Sequence, residues 1–238
     1  MKKPTFWLLL LILLFPLFQA YIYFDVMAAW SPMVQKTTYS ITKVLMFVFP
    51  AVYLGLILKE KMRLRPPNDR GLAEGTYFGL FVLVGICLLY YCYFKPLGII
   101  APGTPVAEQI SKKVTSFGIV TPAPFILFGC FVSFIHSGLE EYYWRWFAFG
   151  QLKRVCSKYP AMVISGIAFS LHHIIILGTY FGYTSQWTWL FSLGIAIGGF
   201  YWCWLYQRKD SIWASWLSHA WVDIAIFIVG YDLIFNKM

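Results

Sequence analysis

Side chains that can move protons or hold charge gather in the second half of this chain. They are His136, Glu140, Glu141, Arg145, His172, His173, His219 and Asp223, and they include all 4 of its histidines. A glutamate takes a proton from water, an imidazole passes one on, and a guanidinium holds a carboxylate. Desolvation in a low-dielectric cavity makes a carboxylate a better base, because it penalises the charged form. Such a set suits either hydrolysis by an activated water or a proton relay. On a helix, Glu141 and Arg145 are one turn apart and can pair on one face. His136 and Glu140 share a face about 100° away from that of Glu141, and His219 and Asp223 can present two polar tips together. Phe169 and His173 also share a face, from which His172 points about 100° aside, as a packing or hydrogen-bonding residue.

The elements that must position these groups are apolar. Hydrophobic residues make up 60% of the 238, aromatics 21% and charged residues 12%, against roughly a quarter charged in an ordinary soluble domain. With a mean hydropathy of +0.66, this excludes a soluble globular domain, a disordered chain and a disulfide-stapled scaffold. The 5 cysteines form no CxxC or metal-finger spacing. The expected fold is all-α, a polytopic transmembrane helical bundle of about seven spans with its catalytic core in the last four. A span needs about 20 apolar residues, and the stretches that qualify are 5–24, 38–58, 76–94, 119–150, 160–180, 187–206 and 211–232. The first is read as a retained span, since it is long for a signal peptide and lacks a clear cleavage site. Residues 1–118 are read as scaffold helices with a basic loop, and 119–238 as the catalytic four-helix core. A short helix is expected at Ala107–Val114, and Gly194-x-x-x-Gly198 is read as a helix-packing motif.

The net charge of +9 comes from clusters between spans, which points to membrane topology rather than nucleic acid. Lys2/Lys3, the Lys59–Arg70 group with Arg63, Lys153/Arg154/Lys158 and Arg208/Lys209 fall on alternate sides. The opposite side has only scattered lysines, Lys36, Lys95, Lys112, Lys113 and Lys237. The positive-inside rule then sets the N-terminus in the cytoplasm. Within a membrane each charge costs roughly 2.5–3.5 kcal/mol and usually faces a bundle interior or a wet cavity. At 1.5 Å per residue, Glu140, His173 and His219 lie about 20, 22 and 15 Å from the basic belts. Three helices thus bring Glu, His and His to a similar depth, which implies one cavity open to the cytoplasm.

Glu140-Glu141-Tyr-Tyr-Trp-Arg145, Phe169-Ser-Leu-His-His173 and His219-Ala-Trp-Val-Asp223 resemble the three ordered motifs E-E-x-x-x-R, F-x-x-x-H and H-x-x-x-N/D. These are the motifs of the CPBP intramembrane proteases, the Abi or CAAX-protease family, which includes the Ras-converting CAAX endopeptidases. The resemblance covers about residues 120–230. It implies an intramembrane endopeptidase with Glu140, Glu141, Arg145, His173, His219 and Asp223 as site residues. Glu140 with His173 would hold and deprotonate a water. Glu141, paired with Arg145, would fix the helix or share the base role, and His219 would donate to the oxyanion. Asp223 departs from the commoner Asn; an ionised Asp cannot donate to an oxyanion, so it is protonated, orients His219 or ligates a metal, and orienting His219 is the favoured role.

A metal-free reaction is favoured. Zinc is the alternative, since the family name includes "metalloprotease", and its ligands would be His173, His219, Glu140 and Asp223. The expected partners are a peptide or protein substrate reached within the lipid bilayer, with no nucleic acid; oligomeric state is open. Prenylated tails, leader peptides and sorting tails all fit as substrates. The expected location is the inner, cytoplasmic membrane of a bacterium. A non-enzymatic immunity or partner-binding protein and a proton-coupled transporter are the competing readings. No inverted repeat or pair of broken helices supports a transporter.

Overall fold

The protein is seen in a computed structural model that describes residues 3–61, 64–67 and 69–236. Lys2, Arg63 and Lys237 of the expected charge pattern lie outside the described residues. Among those residues there is no strand, and the fold is all-α. Among the described residues seven helices are long and apolar enough to cross a membrane: α1 (Phe6–Val26), α2 (Pro32–Ile57), α3 (Asp69–Phe94), α5 (Pro122–Leu152), α6 (Lys158–Phe181), α7 (Gln186–Lys209) and α8 (Ile212–Phe235). The shorter α4, Pro105–Ser116, lies between α3 and α5.

Local chemistry sets the ends of these helices. Thr5 and Ser31 cap α1 and α2 by accepting from the backbone N–H groups of Leu8 and Val34. Thr104 does the same for α4, followed by Pro105, whose fixed φ suits a first helical position. Gly182, at φ 86°, ends α6 in a conformation that a side chain would strain. α2 begins at Pro32 rather than 38 because its polar first turns are helical too. Gln35 there turns inward and donates to the carbonyls of Ala28 and Trp30 at 3.3 and 2.9 Å. Hydropathy marks the buried length of a helix, not its capped ends.

The chain divides into two compact units, residues 1–66 with 140–212 and residues 67–139 with 213–238. In the first, α6 and α7 cross closely at two glycines. A Cβ on Gly166 would lie 2.7 Å from the Ala196 carbonyl oxygen and 2.9 Å from the Phe200 nitrogen; one on Gly199 would lie 3.0 Å from the Gly166 Cα. Gly194 and Gly198 do not make this contact. A Cβ on Gly194 would meet nothing within 4 Å, and one on Gly198 only its own helix's Trp202. The expected small-residue motif is therefore displaced by one position, because Gly199 is the residue on the face turned to α6. Elsewhere in this unit Gln19 donates to the Thr42 hydroxyl at 2.8 Å, joining α1 to α2. The Tyr143 hydroxyl donates to the Ile12 carbonyl at 2.7 Å, joining α5 to α1.

Three of the basic clusters meet at one end of this unit, as expected of loops on one side of a membrane. Arg154 holds Glu60 with two hydrogen bonds, at 3.0 and 2.5 Å, and these hold the Glu60 carboxyl below its usual range. Arg65 pairs with Asp210 at 2.8 Å, and Lys153 donates to Gln207 at 2.7 Å.

In the second unit α3 lies against α8 at Gly75 and Gly79, which are buried together with Gly71 one turn before them. A Cβ on Gly75 would run into the Ala214 carbonyl oxygen, and one on Gly79 would lie 2.8 Å from Trp221. The buried Asp232 of α8 accepts from the Tyr90 hydroxyl at 2.6 Å and from Lys95 at 2.7 Å. Lys95, expected as a scattered loop lysine, thus supplies the counter-charge for a buried carboxylate.

The α6–α7 crossing gives a direct check. Gly166→Ala should destabilise the full chain by about 1–3 kcal/mol through overpacking, whereas Gly194→Ala should stay within about 0.5 kcal/mol. Equilibrium unfolding of the purified protein in mixed micelles measures both.

Candidate active site

α5 is not a uniform α-helix. Wide π-helical turns span Phe131–His136 and Tyr142–Phe149, leaving one short α-helical stretch, Ser137–Glu141, between them. Such turns re-aim side chains and recur at functional sites. Both glutamates stand at the end of that stretch, and both are buried.

Glu141 and Arg145 are fully enclosed and form the expected pair, Nε to Oε2 at 3.1 Å. The flat guanidinium lies against two aromatic faces. Its Cζ is 4.8 Å from the centre of Phe169 on α6 and 5.2 Å from that of Trp202 on α7. Each contact is a cation–π attraction, strengthened where water is excluded. The phenylalanine of the F-x-x-x-H motif thus has a physical role, which is to seat the arginine of the first motif.

Glu140 has different company. Its Oε1 lies 3.7 Å from Nζ of Lys43 on α2 and 3.9 Å from Nε2 of His172 on α6. The His172 ring stacks on Trp144, with centroids 6.0 Å apart and planes within 6°, and meets Phe169 edge-on. His172 therefore packs as expected and also reaches the carboxylate. Beside it, the half-buried His173 has its ring 4.0 Å from that of His172. Nδ1 of His173 lies 3.0 Å from the Phe169 carbonyl oxygen. A carbonyl can only accept, so Nδ1 carries the proton, and in the neutral ring Nε2 keeps its lone pair.

The remaining motif lies in the second unit. His219 is buried on α8, with Nε2 3.8 Å from Oδ1 of Asp223 one turn on, whose side chain is partly exposed. His136 is half-buried within the first wide turn of α5. Among the described residues no three His, Cys, Asp or Glu side chains gather as a metal-binding group.

Two residues of this cluster lie outside the motifs: Lys43, on a helix expected to be scaffold, and Trp202. For Lys43 a signal existed: it is the lone charged residue in the first three expected spans, and such residues face a bundle interior or a wet cavity. Trp202 had none, being one tryptophan among the 11 of the chain.

Comparison with protein families matches residues 121–225 to the family described as "Type II CAAX prenyl endopeptidase Rce1-like". The matched segment holds all three motifs. Neither the curated proteins nor the solved structures give a match.

The two aromatic plates should matter separately from the charges. Phe169→Leu and Trp202→Leu should each cost roughly 1–2 kcal/mol from the lost cation–π contact, with the Arg145 charge unchanged. Unfolding of each variant in mixed micelles measures the loss.

Proposed function

We propose that this chain, whose residues 121–225 match the Rce1-like family and which has seven apolar helices long enough to span a membrane among its described residues, is an intramembrane endopeptidase that works by a glutamate-activated water. The observation that carries the reading is Glu140: buried, inside the matched segment, and set beside Lys43 and His172, whose ring in turn meets that of His173. Glu141 cannot do the same work, because it is fully enclosed and paired with Arg145, which two aromatic rings hold in place.

Glu140 takes a proton from water while the water oxygen attacks the scissile carbonyl carbon. The Nε2 lone pair of His173 accepts the water's second hydrogen bond and fixes its aim. Collapse of the tetrahedral intermediate breaks the C–N bond, and Glu140 returns its proton to the leaving amine. By its place in the third motif, His219 donates to the oxyanion. Asp223 accepts from the His219 imidazole and sets its tautomer, as carboxylates do for ligating and catalytic histidines. Glu141 with Arg145 fixes the helix on which Glu140 stands. The substrate is a peptide tail held at the membrane, with a prenylated tail first among the candidates because the matched family acts on one. The basic pairs that close one end of the first unit, Glu60–Arg154 and Arg65–Asp210, support a cytoplasmic placement of that end and of the N-terminus. The membrane is the cytoplasmic membrane of a bacterium.

The test is release of the C-terminal tripeptide from a farnesylated C-a-a-X peptide by the purified full chain in liposomes. Glu140→Gln should leave below about 1% of the rate, a loss in the range of general-base removal, while the variant still folds and inserts. Asp223→Asn keeps an acceptor for His219 and should retain substantial activity, whereas Asp223→Leu should lose most of it. Full activity in Glu140→Gln would overturn the reading. One zinc per active chain, with chelation abolishing activity and zinc restoring it, would replace the water-only mechanism by a metal one.

A further inference from the structure

Lys43 is a cation set beside the proposed general base and not committed to another carboxylate among the described residues. Arg145 is spent on Glu141 and its aromatic plates. The Lys43 ammonium stands 3.7 Å from Oε1 of Glu140, beyond hydrogen-bond length, on a side chain 14% exposed. Its other contacts are the rings of Tyr39 and Phe47, one turn to either side on α2, each 5.6 Å away. These rings steady the charge and accept no conventional hydrogen bond. An ammonium has three donors, and among the described residues none of those of Lys43 is used in a hydrogen bond. A donor left unspent beside the residue that activates water is placed for a group that arrives with the substrate.

Resting on the proposed hydrolysis, we infer that Lys43 is a catalytic residue that donates to the scissile carbonyl oxygen and then holds the new carboxylate. Water held on Glu140 lies about 3 Å from that carboxylate, and the carbonyl it attacks brings its oxygen into the neighbouring space, where Nζ stands. As the water oxygen bonds to carbon, the carbonyl π pair moves onto oxygen and the resulting negative charge faces the Lys43 ammonium. When the C–N bond breaks, that pair re-forms the carbonyl and the amine leaves with the proton from Glu140. The product acid passes its proton to the released amine, and the resulting carboxylate stays paired with Lys43. This charge lies in a span outside the matched family segment, so α2 supplies part of the catalytic machinery.

Two measurements test this. In the cleavage assay, Lys43→Met should lower kcat by about 10²–10³-fold, as loss of one oxyanion donor does, with KM changed less than about threefold; Lys43→Arg should recover to within about tenfold of the native rate. The second uses the Glu140→Gln protein, which needs no counter-charge at position 43 to fold. Calorimetry there compares two probes, a short acetylated peptide ending in S-farnesyl cysteine as the free acid and the same peptide as the amide. The acid should bind about tenfold tighter or more, and adding Lys43→Met should abolish that preference. Equal binding of acid and amide, or a Lys43→Met enzyme within about threefold of the native kcat, would overturn the assignment. If the native chain cleaves no prenyl peptide while the acid preference depends on Lys43, the hydrolytic reading fails and the anion site of Lys43 stands.

Discussion

The ion pair between Glu141 and Arg145 is the constraint on which the rest of the first unit depends. Both side chains are fully enclosed, and a charge in a bilayer or a dry interior is tolerated only with a partner. The arginine is held between Phe169 and Trp202 as well, so one guanidinium joins α5, α6 and α7. Arginine suits this place because its planar cation stacks on rings while pairing with a carboxylate, which a lysine cannot do. The close crossing of α6 and α7 at Gly166 and Gly199 brings both plates within reach of the same cation.

The consequence for chemistry is a division of labour between adjacent glutamates. Glu141 is immobilised by its pair. Glu140, one residue earlier and about 100° around the helix, is turned toward Lys43 and His172. The wide turn that starts at Tyr142 lets the backbone pass from one register to the next at this point. A rigid carboxylate next to a responsive one is a way to fix a base in space without spending its charge.

Much of this was legible in the sequence. Seven spans, the α4 segment, and the i,i+4 pairing of Glu141 with Arg145 follow from hydropathy and helical period, and the structure has them. The His219–Asp223 spacing likewise becomes a 3.8 Å approach. What could not be read depends on which face of one helix meets another. The contact glycine of α7 is Gly199, one place beyond the motif, because a repeat of small residues does not say which of them faces a neighbour. Lys43 looked like an isolated cost in a scaffold helix, since its partner is remote in sequence. Asp232 near the end of α8 and Lys95 after α3 are a pair for the same reason.

A double-mutant cycle on the purified full chain tests the central ion pair most directly, with unfolding measured for the native protein, Glu141→Gln, Arg145→Met and the double variant. Breaking a buried pair from one side costs about 3–5 kcal/mol because it strands the other charge. The two single losses should therefore exceed the loss in the double variant, with a coupling energy of about 2 kcal/mol or more. Losses that simply add, with coupling below about 0.5 kcal/mol, would contradict the account: the two side chains would then be neighbours without being the strut that holds Glu140 in place.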